Sequence, residues 1–84
     1  MAPEMSKRVL LVEDEAIIAL SEQMTLEKYG YSVSTAYSGA QAIEAAREEA
    51  DIDLVLMDID LGSGMDGTEA AQAILSDREI PVVF

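Results

Sequence analysis

Short apolar runs alternate along this chain with longer amphipathic segments. Two of the runs, at 9–12 and 54–57, are uniformly apolar, which is typical of strands covered on both faces of a parallel sheet. A third segment, at 31–37, alternates Tyr, Val and Thr with Ser and Ala, which predicts a half-exposed strand at a sheet edge. Pro81 opens a fourth strand at 82–84. The pattern therefore predicts four strands.

The first helix is predicted to follow the acidic residues 13–15. Its apolar residues Ile17, Leu20 and Met24 have the i, i+3, i+7 spacing of one helix face, which predicts that this face is buried. Gly30 supplies the signal that ends the helix.

Two further helices begin with capping signals. Ser38 and Gln41 fit an S-x-x-Q capping box that opens a helix to about residue 49, and Asp66 with Glu69 suits the start of another. Their residues predicted to face the sheet are Ala42, Ile43, Ala46, Ala70, Ala71, Ile74 and Leu75. Strands alternating with helices predict an α/β fold with right-handed βαβ units, a parallel sheet and a single domain.

The amino-acid composition excludes several kinds of functional site. The 84 residues carry 17 acidic and 5 basic side chains, a formal charge of −12 that disfavours nucleic acid and favours cations or basic partners. Cysteine and histidine are absent, which excludes disulfides, thiolate or imidazole metal sites, and Cys or His nucleophiles. No apolar run reaches the roughly 20 residues of a membrane helix, and residues 1–6 lack the apolar core of a signal peptide. We expect a cytoplasmic protein whose residues 1–6 form a flexible tail.

Acidic residues follow two of the predicted buried strands. Glu13 and Asp14 come after the first, Asp58 ends the third, and Asp60 lies two residues beyond. Ligands of open parallel sheets gather outside the carboxyl ends of the strands, so these groups converge if the two strands are neighbours. Clustered carboxylates repel one another unless a cation shares the site, and Mg²⁺ prefers hard oxygen ligands. Without another nucleophile nearby in sequence, an aspartate would have to attack directly.

Four motifs, in this order, carry a family resemblance. They are VLLVEDE at 9–15, LVLMDIDL at 54–61, GMDG at 64–67 and IPVVF at 80–84. Together they resemble the receiver domain of bacterial two-component response regulators, over residues 7–84. The resemblance implies a flavodoxin-like, doubly wound parallel sheet with strand order 2-1-3-4. It also implies a domain incomplete at its C-terminus, lacking the family's fourth helix, fifth strand and fifth helix.

The resemblance implies roles for the acidic residues. Asp58 would be the phosphoacceptor, taking a phosphoryl group from a phosphohistidine of a sensor histidine kinase or phosphotransfer protein. Asp14 and Asp58 would bind Mg²⁺, with the backbone carbonyl of Asp60, and Glu13 would assist through a water molecule. The domain would be no enzyme but a signalling receiver that promotes its own phosphorylation and dephosphorylation.

Departures from the family pattern are expected to matter. The family's phosphoryl-sensing Ser or Thr and its Lys have no counterpart in this sequence. Gly62 and Ser63 stand where many members have proline, which predicts a looser loop. A fourth strand at the sheet edge would expose unpaired backbone groups, which predicts a dimer formed through that edge.

Other interpretations of the same residues stay open at this point. Asp14 could cap the first helix, Glu15 could favour its dipole, and Asp58 could be a turn residue. The segment Asp58-x-Asp60 resembles the nucleophile motif of haloacid-dehalogenase-type phosphatases, although that motif closes a first strand. In an EF-hand interpretation Asp58, Asp60, Asp66 and Glu69 would bind Ca²⁺, although Ser63 stands where the sharp turn needs glycine.

Overall fold

The computed structural model describes residues 7–62 and 64–84. Strands and helices alternate along the chain. The strands are β1 (Arg8–Val12), β2 (Ser32–Ala36), β3 (Leu54–Met57) and β4 (Val82–Val83). The helices are α1 (Ala16–Lys28), α2 (Gly39–Glu48) and α3 (Gly67–Asp77). The seven predicted elements are confirmed to within a residue or two, whereas the prediction for residues 1–6 lies outside the described residues.

The four strands form one parallel sheet in the order β2-β1-β3-β4. In the central pair, Val9 lies opposite Leu54 and Val12 opposite Met57. Because this register is unshifted, β1 and β3 end side by side at the carboxyl edge. The predicted strand order is confirmed, and β2 lies at an edge, as its alternating pattern predicts.

The larger core lies between one face of the sheet and the pair α2 and α3. Alternate residues of the central strands face it, and small or apolar helix residues fill it. The sheet contributes Leu10, Val12, Val55 and Met57, and the helices contribute Ala42, Ala46, Ala70 and Ile74. The predicted inward faces of α2 and α3 are therefore confirmed except at Leu75, which is 50% exposed. Leu75 directly follows Ile74, so it lies about 100° around the helix from the buried stripe.

Helix α1 packs on β1 and β2. Its crossover runs across the sheet in the direction opposite to that of α2, so right-handed connections place the two helices on opposite faces. The prediction that Ile17, Leu20 and Met24 are buried is wrong, because these residues are 85%, 57% and 62% exposed. The inward stripe instead runs from the buried Ala19 through half-buried residues at 22, 23 and 26. Apolar residues occur all round this helix, so periodicity alone could not choose the buried face.

The helix starts differ in their caps. At α3, Asp66 and Glu69 form the complete reciprocal capping box that the sequence predicts. At α2, Ser38 accepts from the amide of Gln41 at 3.1 Å, but the Gln41 side chain accepts from the amide of Tyr37 instead of completing the box. Among the residues that the structure describes, no helix has the length and apolar composition that a membrane crossing requires.

Candidate metal and phosphoryl site

The central strands carry three carboxylates to one point. Glu13 and Asp14 follow β1 directly, and Asp58 follows β3. The amide of Asp58 donates to the carbonyl oxygen of Val12, and that of Glu13 to Ala36, each at 3.0 Å. One carboxylate oxygen from each acidic residue lies within 4.8 Å of the others. We call Glu13, Asp14 and Asp58 the acidic cluster; their predicted convergence is confirmed.

Each member of the acidic cluster has a different degree of exposure. Asp14 is exposed, Asp58 is half-buried, and Glu13 is only 8% exposed. The Oδ1 atom of Asp58 accepts a hydrogen bond from the amide of Asp60 at 3.2 Å. The carboxylate of Asp60 is exposed and accepts from the amide of Gly62 at 3.1 Å. Metal binding by the acidic cluster and by the Asp60 backbone carbonyl stays a prediction.

The electrostatics of the acidic cluster are concentrated on Glu13. The pKa of Glu13 is raised from 4.5 to about 7, mainly by burial and to a smaller extent by the neighbouring carboxyl groups of Asp58 and Asp14. A hydrogen bond from the amide of Glu15 to Glu13 Oε2, at 3.3 Å, opposes this rise in pKa by stabilising the charged form. Near neutral pH the Glu13 carboxyl group is therefore protonated in part of the molecules. A cation bound at the acidic cluster would displace this proton.

The three arginine side chains are occupied elsewhere. Arg8 pairs with Asp51 at 3.2 Å and Arg47 with Asp77 at 2.9 Å. Arg78 donates to three carbonyl groups at the C-terminal end of α2. Within residues 7–62 and 64–84, no salt bridge reaches the acidic cluster. Its negative charge therefore lacks a protein counterion among these residues.

A cleft of about 370 Å³ opens beside the acidic cluster. Glu13 and Asp58 line it together with Leu56, Glu22 and Phe84. Sequence reasoning missed Glu22 and Phe84 as site residues. Glu22 follows the buried Ala19 by one helical turn, a signal that becomes visible only once the inward face of α1 is known.

Gly62 lies against the cluster rather than in a remote turn. Its φ is +76°, a left-handed conformation that favours glycine. A Cβ at this position would lie 2.9 Å from Oδ2 of Asp14. The glycine that sequence analysis associated with a looser loop therefore leaves space for a site carboxylate.

The structure separates the acidic residues into those at the site and those used for capping. Asp14 is not the N-cap of α1. That position is held by Glu15, and the side chain of Glu15 makes no capping hydrogen bond. Asp66 and Glu69 are engaged in the α3 cap. The EF-hand interpretation is wrong, because a strand rather than a helix precedes Asp58.

Comparisons with known proteins agree with this geometry. The sequence model of the response regulator receiver domain matches residues 9–84. The phyllosphere-induced regulator PhyR of Methylorubrum extorquens is 33% identical over 85 residues, covering 100% of this chain and 32% of PhyR. The N-terminal domain of a response regulator/sensory box/GGDEF three-domain protein from Carboxydothermus hydrogenoformans is 46% identical, with a TM-score of 0.88 over 93% of this chain and 62% of that chain.

A further solved structure includes a metal. The receiver domain of a sensor histidine kinase from Pseudomonas aeruginosa PAO1, with a magnesium ion coordinated in its active site cleft, is 30% identical. Its TM-score is 0.83, over 92% of this chain and 64% of that chain. The chain thus spans about a third of PhyR and less than two thirds of each of these solved chains.

Both the fold and the match set aside the phosphatase interpretation, since the Asp-x-Asp segment closes the third strand and not the first. The parallel sheet brings the acidic ends of β1 and β3 together, and both ends lie within the residues that the family model matches. Because that model covers nearly the whole chain, this protein belongs to the response regulator receiver domain family.

Proposed function

We propose that Asp58 is the residue on which this receiver domain accepts a phosphoryl group, with Mg²⁺ as its cofactor. The observation that carries the proposal is the acidic cluster, in which three carboxylate oxygens lie within 4.8 Å and no salt bridge among the described residues compensates them. Asp14 and Asp58 would hold Mg²⁺ with the Asp60 carbonyl, and Glu13 through a water molecule.

The donor set suits this ion. Octahedral Mg²⁺ with ligands at 2.0–2.1 Å separates neighbouring ligand oxygens by about 2.9 Å and opposite ones by about 4.2 Å. Carboxylate oxygens within 4.8 Å need only small side-chain adjustments to reach such distances. Mg²⁺ bound there would neutralise charge on the transferring phosphoryl oxygens and align the attacking and leaving atoms.

Asp58 has the geometry of an oriented nucleophile. Its Oδ1 atom is held by the amide of Asp60, and its backbone is held by the carbonyl of Val12. A carboxylate oxygen of Asp58 would attack the phosphorus of a donor phosphohistidine. The new O–P bond forms as the P–N bond breaks, and the electron pair of that bond returns to the imidazole nitrogen of the donor. Positioning and electrostatics thus supply most of the catalysis.

Family membership and the charge of the chain both bear on which kind of protein donates the phosphoryl group. A sensor histidine kinase or a phosphotransfer protein would supply the phosphoryl group, at a surface that tolerates a domain of charge −12. With such a donor, the domain would act in the cytoplasm. It would act as a signalling component that promotes its own phosphorylation and dephosphorylation, and not as an enzyme with a separate substrate.

Self-association through β4 is a second part of this proposal. Val83 of the edge strand β4 is 47% exposed, and Phe84, which follows it, is 55% exposed. Sedimentation at micromolar concentrations should show dimers, and the dimer fraction should rise with salt because screening weakens repulsion between two acidic chains. A compact monomer at all salt concentrations would contradict it.

The phosphoacceptor assignment is tested by intact-protein mass after incubation with acetyl phosphate. The unmodified chain should gain one phosphoryl group in the presence of Mg²⁺ and none with a chelator. Asp58→Asn should gain none. Asp60→Asn is the matched control, because it removes a nearby carboxylate and keeps the backbone carbonyl, and it should still be phosphorylated. An adduct that persists in Asp58→Asn would overturn the assignment.

A further inference from the structure

We propose that Gly67 is a positioning residue for phosphoryl transfer. Its missing side chain lets the first turn of α3 rest on the backbone at Asp58, and this contact sets the position of the Asp58 carboxylate. The inference rests on the proposed role of Asp58 as phosphoacceptor.

The contact is close and involves backbone on both sides. The amide of Gly67 donates to the carbonyl oxygen of Ile59 at 2.9 Å. A Cβ at Gly67 would overlap the carbonyl oxygen of Asp58, and it would lie 2.8 Å from Cα of Ile59 and 3.0 Å from the carbonyl carbon of Asp58. Backbone atoms at such distances cannot rotate away as a flexible side chain can, so a methyl group here displaces either α3 or the end of β3.

The same contact closes the loop that follows β3. The bond from Gly67 to Ile59 ties the first residue of α3 to the residue after Asp58. The loop between them contains Asp60, whose amide holds Asp58 Oδ1. Gly67 is therefore the point at which α3, itself packed in the core, constrains both the Asp58 carboxylate and its hydrogen-bond donor.

Gly39 provides an internal comparison. It is the first residue of α2, as Gly67 is of α3, and both are buried. The three atoms nearest to a Cβ at Gly39 would all belong to the side chain of Met65, each at 3.2 Å. Met65 is 37% exposed, and a shift of a few tenths of an ångström in its side chain would relieve this contact. Replacing either glycine by alanine therefore makes the same chemical change at equivalent helix positions, but only one of the two changes pushes on the site backbone.

The experiment compares Gly67→Ala with Gly39→Ala. Mg²⁺ affinity is measured by titration, and the phosphorylation rate is measured with acetyl phosphate at saturating Mg²⁺, at a temperature where circular dichroism shows each variant folded. For Gly67→Ala we expect about tenfold weaker Mg²⁺ binding and a rate about a hundredfold lower, as displaced reacting groups produce. Gly39→Ala should stay within twofold of the unmodified chain in both.

A merely structural role predicts a different result. Gly67→Ala would then lower the unfolding temperature while its folded fraction bound Mg²⁺ and reacted normally, and that outcome overturns the proposal. If the unmodified chain itself takes no phosphoryl group, the phosphoacceptor assignment fails. Equal behaviour of the two glycine variants, with a reactive unmodified chain, removes only the role of Gly67.

Amide exchange in the unmodified chain tests the proposal if Gly67→Ala does not fold. The Gly67 amide should exchange several-fold more slowly when Mg²⁺ is added, because ordering at Asp58 is transmitted through its bond to Ile59. The Ala42 amide, which donates to Ser38 at the start of α2, should be unaffected. Equal changes at the two amides, or no change at Gly67, would overturn the proposal.

Discussion

Helices α1 and α3 both follow strands and both begin next to acidic residues, but the two starts use their carboxylates in opposite ways. At α3, Asp66 accepts from the amide of Glu69 at 2.8 Å, and Glu69 accepts from the amide of Asp66 at 3.3 Å. These side chains satisfy amides that the helix would otherwise leave without partners. The start of α3 is stabilised locally.

At α1 the N-cap Glu15 makes no side-chain capping bond. Glu13 and Asp14 lie with Asp58 from another strand instead. Hydrogen bonding to the carboxyl groups of Asp58 and Asp14, together with the charge of Asp58, raises the pKa of Glu13 on top of the larger effect of burial. The same residue types therefore stabilise one helix and form a strained, charged site at the other. Carboxylates that do not form a helix capping box are the ones available to a cation.

The largest difference between the two helix starts is expected when Asp14 is replaced. Asp14→Ala removes a proposed Mg²⁺ ligand, and we expect at least about a hundredfold weaker Mg²⁺ binding, since losing even an outer partner of a ligand reaches that range. Calorimetric titration with MgCl₂ measures it. Asp66→Ala is the control and should leave the Mg²⁺ dissociation constant within twofold. Equal losses in both variants would show that the two helix starts are not functionally different.

The next largest effect is expected from the pH dependence of Mg²⁺ binding at the start of α1. Because Glu13 has a pKa of about 7, Mg²⁺ must displace a proton below that pH. We expect about tenfold weaker binding at pH 6 than at pH 8. The measurement is the Mg²⁺ titration repeated across this range. Glu13→Gln should abolish the dependence, and a dependence that persists in this variant would assign the proton to another group.

The raised pKa of Glu13 also predicts how the unfolding free energy depends on pH in the absence of metal. The folded chain keeps a proton on Glu13 between pH 4.5 and about 7, where the unfolded chain has lost it. The folded state therefore binds more protons in this window, and the contribution of Glu13 to the unfolding free energy falls as pH rises. Urea unfolding of Glu13→Gln should lack this component, and identical pH profiles for the two chains would contradict the assignment.

Removing the α3 cap should act on stability alone. Asp66→Ala leaves the amide of Glu69 without its side-chain partner, and we expect a loss of about 1 kcal/mol in unfolding free energy. For a domain of this size that corresponds to a fall of roughly 4–8 °C in the unfolding temperature. Glu15→Ala at the α1 N-cap should change the temperature much less. A larger effect at Glu15 would reverse the comparison.

The outer face of α1 should give the smallest effect. Ile17 is 85% exposed and Ile74 of α3 is 1% exposed. Ile17→Val should change the unfolding free energy by less than about 0.5 kcal/mol, whereas Ile74→Val should cost about 1 kcal/mol. Urea unfolding of the two variants makes the comparison. A cost at Ile17 equal to that at Ile74 would show that the predicted face of α1 is buried after all.

The sequence predicted the core residues of α3 because several signals coincide there. A capping pair fixes its first turn, and the stripe of Ala70, Ala71 and Ile74 is the inward side. Leu75 extended that stripe by one residue too far. For α1, the apolar residues Ile17, Leu20 and Met24 formed a convincing stripe that the structure leaves exposed, because this helix is apolar on more than one side.

The convergence of the acidic cluster could be predicted from the sequence, but the position of the backbone around it could not. Glu13, Asp14 and Asp58 could be named because each directly follows an apolar run, and parallel strands bring their carboxyl ends to one edge. Gly67 could be seen only as part of a motif. Its close approach to Asp58 depends on where α3 lies over the end of β3, a distance that no local pattern contains.

By itself the sequence determined the order of the elements, their approximate bounds, the inward face of α3 and the residues that carry charge to the carboxyl edge. Each of these depends on neighbours a few positions apart, through apolar runs, helical spacing and caps. Tertiary structure alone decided which side of α1 is buried, how strongly the pKa of Glu13 rises, and which glycine must lack a side chain. Those properties depend on packing between segments distant in sequence, where the surroundings of a residue are set by other elements.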